Sequence, residues 1–199
     1  MRILVTGASG LLGLNLCMMS PFDNEIIGFT YKNPLSGVPF TTVNADLASP
    51  NSLTAQIERL KPGLVLNCAA MANIDACESQ PDEARKINTE MPALLAELCS
   101  KFSIPLVHIS TDAVFDGKTG GYTEEDQPNP LSVYARTKLE SEKLVMAAFP
   151  RALVLRVNFY GYSQSGNRSI AEFFLNNLLA GNTMNGFTDV IFSPLYVRD

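Results

Sequence analysis

The chain has 199 residues, a hydrophobic content of 46%, a charged content of 18% and a net charge of −5, which describes a globular protein with room for one well-filled domain and a small appendage. Its basic residues are dispersed and no apolar run approaches the length of a membrane span, so nucleic acid and membrane are excluded as partners. Four cysteines and one histidine without metal-like spacing leave no metal site, and free thiols among apolar neighbours predict the cytoplasm.

Residues 2–6 are rich in branched apolar side chains and predict a strand. They run straight into a glycine turn with no cleavage-site pattern, so a signal peptide is not expected. The turn is Gly7-Ala-Ser-Gly10-Leu-Leu-Gly13, and residues 11–19 have a helical pattern. Strand, glycine turn and helix in that order form a phosphate site. Glycines let the backbone approach a pyrophosphate, and the free N–H groups at the helix start meet its charge. The spacing is G-x-x-G-x-x-G, one residue longer than the G-x-G-x-x-G fingerprint, and Gly7, Gly10 and Gly13 are the expected contacts.

Residues 25–30 read as the second strand. An acidic residue near its end would hold the adenine ribose of NAD(H), but the chain offers Thr30-Tyr-Lys-Asn33. Lys32 can meet a 2′-phosphate, so NADP(H) is the expected cofactor and NAD(H) the alternative. Residues 40–44 predict a third strand ending in Ala45-Asp46-Leu47, where Asp46 can accept a hydrogen bond from the adenine amine. Residues 50–60 are helical, and residues 63–67 form an unbroken buried-type strand. Cys68-Ala69-Ala70 follows, with side chains small enough for a flat cofactor to lie against the backbone.

Residues 81–102 predict a long helix with a kink or break at Pro92. Residues 104–109 predict the fifth strand, which delivers Ser110-Thr111-Asp112 to the carboxyl end, where open α/β sheets bind ligands. His108 lies within that strand and reads as a core residue. Residues 116–130 form a loop, and Pro128 and Pro130 disfavour helix immediately before them. A proline-free helical stretch follows to Phe149, with Tyr134 and Lys138 four apart on one face. An ammonium beside a phenol favours the phenolate and lowers a pKa that ordinarily lies near ~10. Such a tyrosine can exchange a proton with a substrate oxygen nearer neutral pH. The competing reading is a packed Tyr134 and a solvated Lys138, since Tyr-x-x-x-Lys recurs by chance.

Residues 152–157 predict a sixth strand, 169–179 a helix and 190–192 a last strand. Alternating strands and helices with short connections give an α/β doubly wound parallel sheet, a Rossmann fold with helices on both faces. Residues 1–157 form its core, and residues 158–199 begin a second lobe.

Several motifs agree in order. Thr6-Gly-Ala-Ser-Gly-Leu-Leu-Gly13, Asp46-Leu47, Asn67-Cys-Ala-Ala70, Ser110-Thr-Asp112 and Tyr134-x-x-x-Lys138 resemble the extended short-chain dehydrogenase/reductases. Ser110-Thr-Asp-Ala-Val-Phe-Asp-Gly117, Tyr122-x-Glu-x-Asp126, Pro130-Leu-Ser-Val-Tyr134, Ile74-Asp-Ala-Cys-Glu78 and Ile87-Asn88 are similar to the dTDP-4-dehydrorhamnose reductases among them. The resemblance implies reduction of a 4-keto-6-deoxy nucleotide-sugar. Thr111 would bond the substrate carbonyl, Tyr134 give the proton, Lys138 hold the ribose and tune the phenol, and Asn88 support a proton relay. It adds Ser9, Leu11, Leu12, Tyr31, Leu47, Cys68, Ala69, Ala70 and Ser110 to the cofactor set, and Asp112, Phe115 and Asn158 to the substrate set. It allows a homodimer.

Members of that family continue into a lobe that binds the nucleotide-sugar. This chain stops at Asp199, within what resembles the family's Ser-Pro-x-x-Val-x-Asp segment, so most of that lobe is expected to be missing. The stretch Arg156-Val-Asn-Phe-Tyr-Gly161 is also shorter than the family's aromatic-rich segment. Two other functions fit the same scaffold. One is a non-catalytic dinucleotide-binding protein resembling the methionine adenosyltransferase regulatory subunit; the other is a nucleotide-sugar epimerase or dehydratase, disfavoured by the missing acid after the second strand.

Overall fold

The computed structural model describes residues 1–19, 23–47 and 49–198. Six strands, β1 (Arg2–Thr6), β2 (Glu25–Thr30), β3 (Thr41–Asn44), β4 (Leu64–Asn67), β5 (Leu106–Ser110) and β6 (Leu153–Arg156), pair in the order β3-β2-β1-β4-β5-β6. All the pairs are parallel. This is the Rossmann-type, doubly wound arrangement. Its order reverses between β1 and β4, where Thr6 stands opposite Asn67, and such a switch point opens a crevice at the carboxyl ends of the strands.

Helices cover the two faces unequally. Helix α1 (Leu11–Met19) packs on one face with Leu35, Val38 and Phe40, next to β1 and β2. Helices α2 (Pro50–Leu60), α5 (Met91–Lys101) and α6 (Val133–Ala148) bury the other face around Leu4, Phe29, Leu53, Ile57, Val65, Leu95 and Val145. Strand β5 shows the asymmetry in its alternation. Leu106, His108 and Ser110 are buried towards the α5–α6 side, while Val107 and Ile109 on the opposite side are half-buried.

The predicted long helix is present but not uniform. Short helices α3 (Ile74–Ser79) and α4 (Pro81–Arg85) lead into a π-helical turn, Lys86–Glu90, which passes into α5 with helical backbone at both junctions. Pro92 has no N–H to donate, and its ring crowds the carbonyl four residues earlier. The wider turn, closed by Met91 N–H on the Lys86 carbonyl, accommodates the proline without a break. It also turns the consecutive residues Asn88 and Thr89 inward together, both fully buried.

Beyond the sheet the expected last strand is misplaced. Residues 190–192 are irregular, with Val190 59% and Ile191 93% exposed, so their apolar side chains gain little burial there. Instead Leu195–Tyr196 (β8) pairs in parallel with Phe159–Tyr160 (β7). Helix α7 (Ile170–Leu179) starts in a capping box made by Ser169 and Glu172, yet exposes Phe173, Phe174, Leu178 and Leu179. Asp199, which completes the terminal motif, lies outside the described residues.

Stability should therefore reside in the α2–α5–α6 side. Leu95→Ala, at a fully buried position, should cost about 2–5 kcal/mol in urea denaturation, whereas Leu178→Ala, at a position 66% exposed, should stay within about 0.5 kcal/mol.

Candidate active site

The glycine turn lies at the switch point. Gly7 has φ of +65°, and a Cβ there would stand 2.8 Å from the Ala69 Cα, so only glycine admits residues 68–70 so close. A Cβ on Gly13 would stand 2.3 Å from the Gly7 carbonyl oxygen, which gives that residue a packing role within the turn. Gly10 donates its N–H to the Gly7 carbonyl at 2.8 Å. Ser9, Leu11 and Leu12 are half-buried around it, at the start of α1. Arg168 reaches this turn from the distant chain and donates from Nη1 to the Ser9 carbonyl at 3.3 Å. No local signal in the sequence announced that contact.

At the end of β2, Tyr31 and Lys32 are exposed, with Lys32 Nζ 5.8 Å from the Tyr31 ring centre. Asn44 donates to the Tyr31 carbonyl at 3.1 Å and so ties the ends of β2 and β3 together. Asp46 and Leu47 follow β3, half-buried, and Cys68 and Ala69 are half-buried after β4 with Ala70 exposed. Burial pushes the Cys68 thiol up to about 12.

Helix α6 starts with two caps. Ser132 Oγ accepts from Ala135 N–H at 3.1 Å, and Glu78 Oε1 accepts from Val133 N–H at 2.6 Å. A carboxylate also suits the positive end of the helix dipole. Asn88 braces the same helix. Its Oδ1 accepts from Met71 N–H at 2.8 Å, and its Nδ2 donates to the Met71 carbonyl at 3.1 Å and to Thr137 Oγ1 at 3.2 Å. Thr89 Oγ1 donates to the Thr137 carbonyl at 2.9 Å. The π-turn thus grips α6 one residue before Lys138.

The structure places Tyr134 and Lys138 on this helix as expected, but their electrostatics differ from the expectation. Lys138 is 2% exposed and donates from Nζ to the Ile109 carbonyl at 2.6 Å. Burial pulls its pKa down to about 8, against the opposing pull of Glu142 and Cys68. The Tyr134 phenol is pushed up, not down. Burial is the main cause and Asp112 and Cys77 add to it, while the neighbouring Thr111 hydroxyl works the other way. With its own pKa pulled down to about 8, Lys138 has lost its charge before the raised phenol titrates, so it does not favour the phenolate.

Thr111 and Asp112 lie where β5 passes into a 3-10 turn, Asp112–Val114. Thr111 Oγ1 accepts from Ala113 N–H at 3.2 Å and donates to Asp112 Oδ1 at 3.3 Å; Asn158 donates to Asp112 Oδ2 at 3.4 Å. Tyr134, Thr111, Asp112 and Asn158 therefore converge. Two other candidates do not present their side chains to this cluster. Ser110 is buried and donates its hydroxyl to Glu142, which Arg156 also holds, at 2.7 Å. The Phe115 ring stacks on Tyr122 at 4.4 Å, with the Arg156 guanidinium 5.1 Å above it. Among the described residues, no group of three or more histidine, cysteine or acidic side chains could hold a metal ion.

Chemically, a phenol that keeps its proton through neutral pH, close to a threonine hydroxyl, can deliver that proton to an oxygen bound at both. The buried lysine makes a separate prediction. Between about 8 and the ordinary 10.5 the unfolded chain binds a proton that the folded chain has released, so this group makes stability rise with pH across that window. Cys17, Cys68 and Cys99, raised from 9.0 to about 12, act in the opposite sense above pH 9. Urea denaturation of wild type and Lys138→Met at a series of pH values should show a difference that grows in favour of wild type through the window.

Residues 1–199 match the family model of the RmlD substrate binding domain. The probable low-salt glycan biosynthesis reductase of Haloferax volcanii is 35% identical over 98% of this chain and 66% of its own length. Methionine adenosyltransferase 2 subunit beta of Mus musculus is 37% identical over 78% of this chain and 46% of its own. A hypothetical dTDP-4-dehydrorhamnose reductase from Sulfolobus tokodaii has a TM-score of 0.88 at 32% identity, covering 100% of this chain and 68% of that one. The dTDP-4-dehydrorhamnose reductase of Bacillus anthracis, solved in complex with NADP, has a TM-score of 0.78 at 26% identity, covering 98% of this chain and 66% of that one. The chain spans about two thirds or less of the curated relatives it matches. With a family match over its whole length and the sheet order and switch point in place, the chain belongs to the RmlD substrate binding domain family.

Proposed function

We propose that the chain is the cofactor-binding and proton-donating part of an NADPH-dependent reductase of a 4-keto-6-deoxy nucleotide-sugar. The observation that carries this reading is the convergence of Tyr134 and Thr111 at the end of β5. The glycine turn at the switch point and the NADP-bound relative support it. A bound NADPH would supply the hydride.

In this reading the turn at Gly7 and Gly10, with the N–H groups of Leu11 and Leu12, receives the pyrophosphate, and Ser9 lies beside it. Gly13 keeps the turn closed. Tyr31 and Lys32 meet the 2′-phosphate, Asp46 and Leu47 the adenine, and residues 68–70 the nicotinamide half. Lys138 holds the ribose. Thr111 polarises the substrate carbonyl and Tyr134 gives the proton that turns the nascent alkoxide into an alcohol. Asn88 supports the relay by fixing Met71 and Thr137. Asp112 and Asn158 meet the sugar, with Phe115 at the margin. Residues 158–199 begin the substrate lobe.

The likeness to a methionine adenosyltransferase beta subunit favours one alternative, a dinucleotide-binding protein without turnover. Single-turnover NADPH oxidation by the complete protein with a 4-keto nucleotide-sugar decides between them. Tyr134→Phe should keep cofactor affinity and lose about 10²–10⁴-fold in rate. Thr111→Val should lose less, and Lys138→Met should harm both rate and affinity. An unchanged rate in Tyr134→Phe, or no turnover in wild type, would favour the regulatory reading. The cofactor choice is tested separately. Wild type should bind NADPH more tightly than NADH, and Lys32→Asp should reverse the order; equal affinities throughout would remove Lys32 from the site.

A further inference from the structure

A line of buried polar side chains runs under the switch point from the glycine-turn side to α6. Ala69 N–H donates to Thr6 Oγ1 at 3.1 Å, and Thr6 Oγ1 donates to Asn67 Oδ1 at 2.6 Å. Asn67 Nδ2 lies 2.9 Å from His108 Nδ1, His108 Nε2 lies 3.0 Å from Ser141 Oγ, and Ser141 Oγ donates to the Lys138 carbonyl at 2.7 Å. Thr6, Asn67, His108 and Ser141 are all essentially inaccessible to solvent. Such a line has no use for loose ends, since a buried donor or acceptor left unmatched is costly.

The direction of each bond follows from the chemistry of its two ends. A backbone N–H can only donate and a carbonyl oxygen can only accept, so protons point from Ala69 towards Asn67 at one end and from Ser141 to Lys138 at the other. The Asn67 amide nitrogen can only donate, which makes His108 Nδ1 an acceptor and puts the imidazole proton on Nε2, aimed at Ser141. Reversing the Asn67 amide would put the proton on Nδ1. Ser141 would then have to donate to the imidazole, and the Lys138 carbonyl would lose the hydroxyl. Only the first arrangement satisfies every group.

Strand β5 therefore holds Lys138 at two points. Ile109 takes the ammonium on its carbonyl, and its neighbour His108 takes the backbone of the same lysine through Ser141. We propose that His108 is a positioning residue for Lys138, a permanently neutral imidazole that fixes where along α6 the ammonium is presented to the cofactor. This rests on the reading of Lys138 as the ribose-holding lysine. The titratable and charged groups facing Lys138 are His108 from β5, Cys68 after β4, and Glu142 on α6, itself paired with Arg156 of β6. Burial and the Lys138 ammonium both hold the His108 pKa well below its ordinary value, consistent with an imidazole that does not titrate.

A histidine that merely fills space would need neither ring nitrogen in a set role, so the ring itself is the test. The sequence contains one histidine, and its ¹⁵N resonances are therefore unambiguous. In the 199-residue chain they should show the neutral form protonated on Nε2, unchanged from about pH 5 to about pH 9. A proton on Nδ1, or titration within that range, would overturn the proposal. His108→Gln places an amide N–H near the Nε2 position and should keep the link to Ser141, whereas His108→Asn is too short to reach it. In His108→Asn, and in Ser141→Ala, the Lys138 side-chain titration followed by NMR should move up from about 8 towards 10.5 and NADPH should bind about tenfold more weakly. His108→Gln should recover most of both. If all three variants lose thermal stability but leave the lysine titration in place, His108 is a core residue only. If wild type fails to bind NADPH, the cofactor reading fails, and the lysine titration still decides the positioning role.

Discussion

A lysine ammonium taken into the interior of this domain is the constraint around which the α6 side of the sheet is arranged. Burying a charge is expensive unless polar groups replace the lost water. Here the Ile109 carbonyl takes the Nζ, and Glu142, one turn on, supplies an opposing charge that is itself held by Arg156 and Ser110. These groups come from three elements: Ile109 and Ser110 from β5, Glu142 from α6 and Arg156 from β6. The helix can meet all of them only if it lies on the sheet in one register. The caps from Ser132 and Glu78 and the grip of Asn88 and Thr89 secure its first turns in that register. Tyr134 thereby acquires a fixed position opposite Thr111.

The π-turn belongs to the same device. Within this turn the consecutive residues Asn88 and Thr89 both serve α6. The widened turn that accommodates Pro92 carries both residues, and both end on Thr137. A backbone irregularity next to one proline thus braces the helix that carries Tyr134 and Lys138. Irregular turns of this kind often occur at functional sites.

Features set by local rules were legible in the sequence. The strands, the glycine turn and the four-residue spacing of Tyr134 and Lys138 depend on side-chain periodicity and backbone freedom, which neighbouring residues determine. Pro92 signalled an irregularity, but its form depended on α6, about forty residues later. The strand expected at 190–192 had the right residue types and no partner, whereas residues 195–196 found one in β7. The phenol's pKa was misread for the same reason. Spacing placed a lysine nearby, but burial lowers that lysine's pKa to about 8 and, with Asp112, raises the phenol's. Glu78 and Arg168 act across such separations that no spacing rule could have singled them out.

Uneven coverage of the sheet separates the site into two physical regimes. The groups proposed to move protons and hold the ribose stand on the α5–α6 side, where packing is continuous and every polar atom in the line from Thr6 to Lys138 is matched. Asp112 and Asn158, proposed to meet the sugar, share one long hydrogen bond at the rim. The chain following Asn158 exposes Phe173, Phe174, Leu178 and Ile191. Reaction geometry needs groups held to within a fraction of an ångström, and the first region can provide that. Recognition of a substrate tolerates, and often uses, a surface completed by other polypeptide. Changes at the rim can therefore leave the buried network under α6 untouched, and under the proposed function the same proton donor could be kept while the sugar contacts vary.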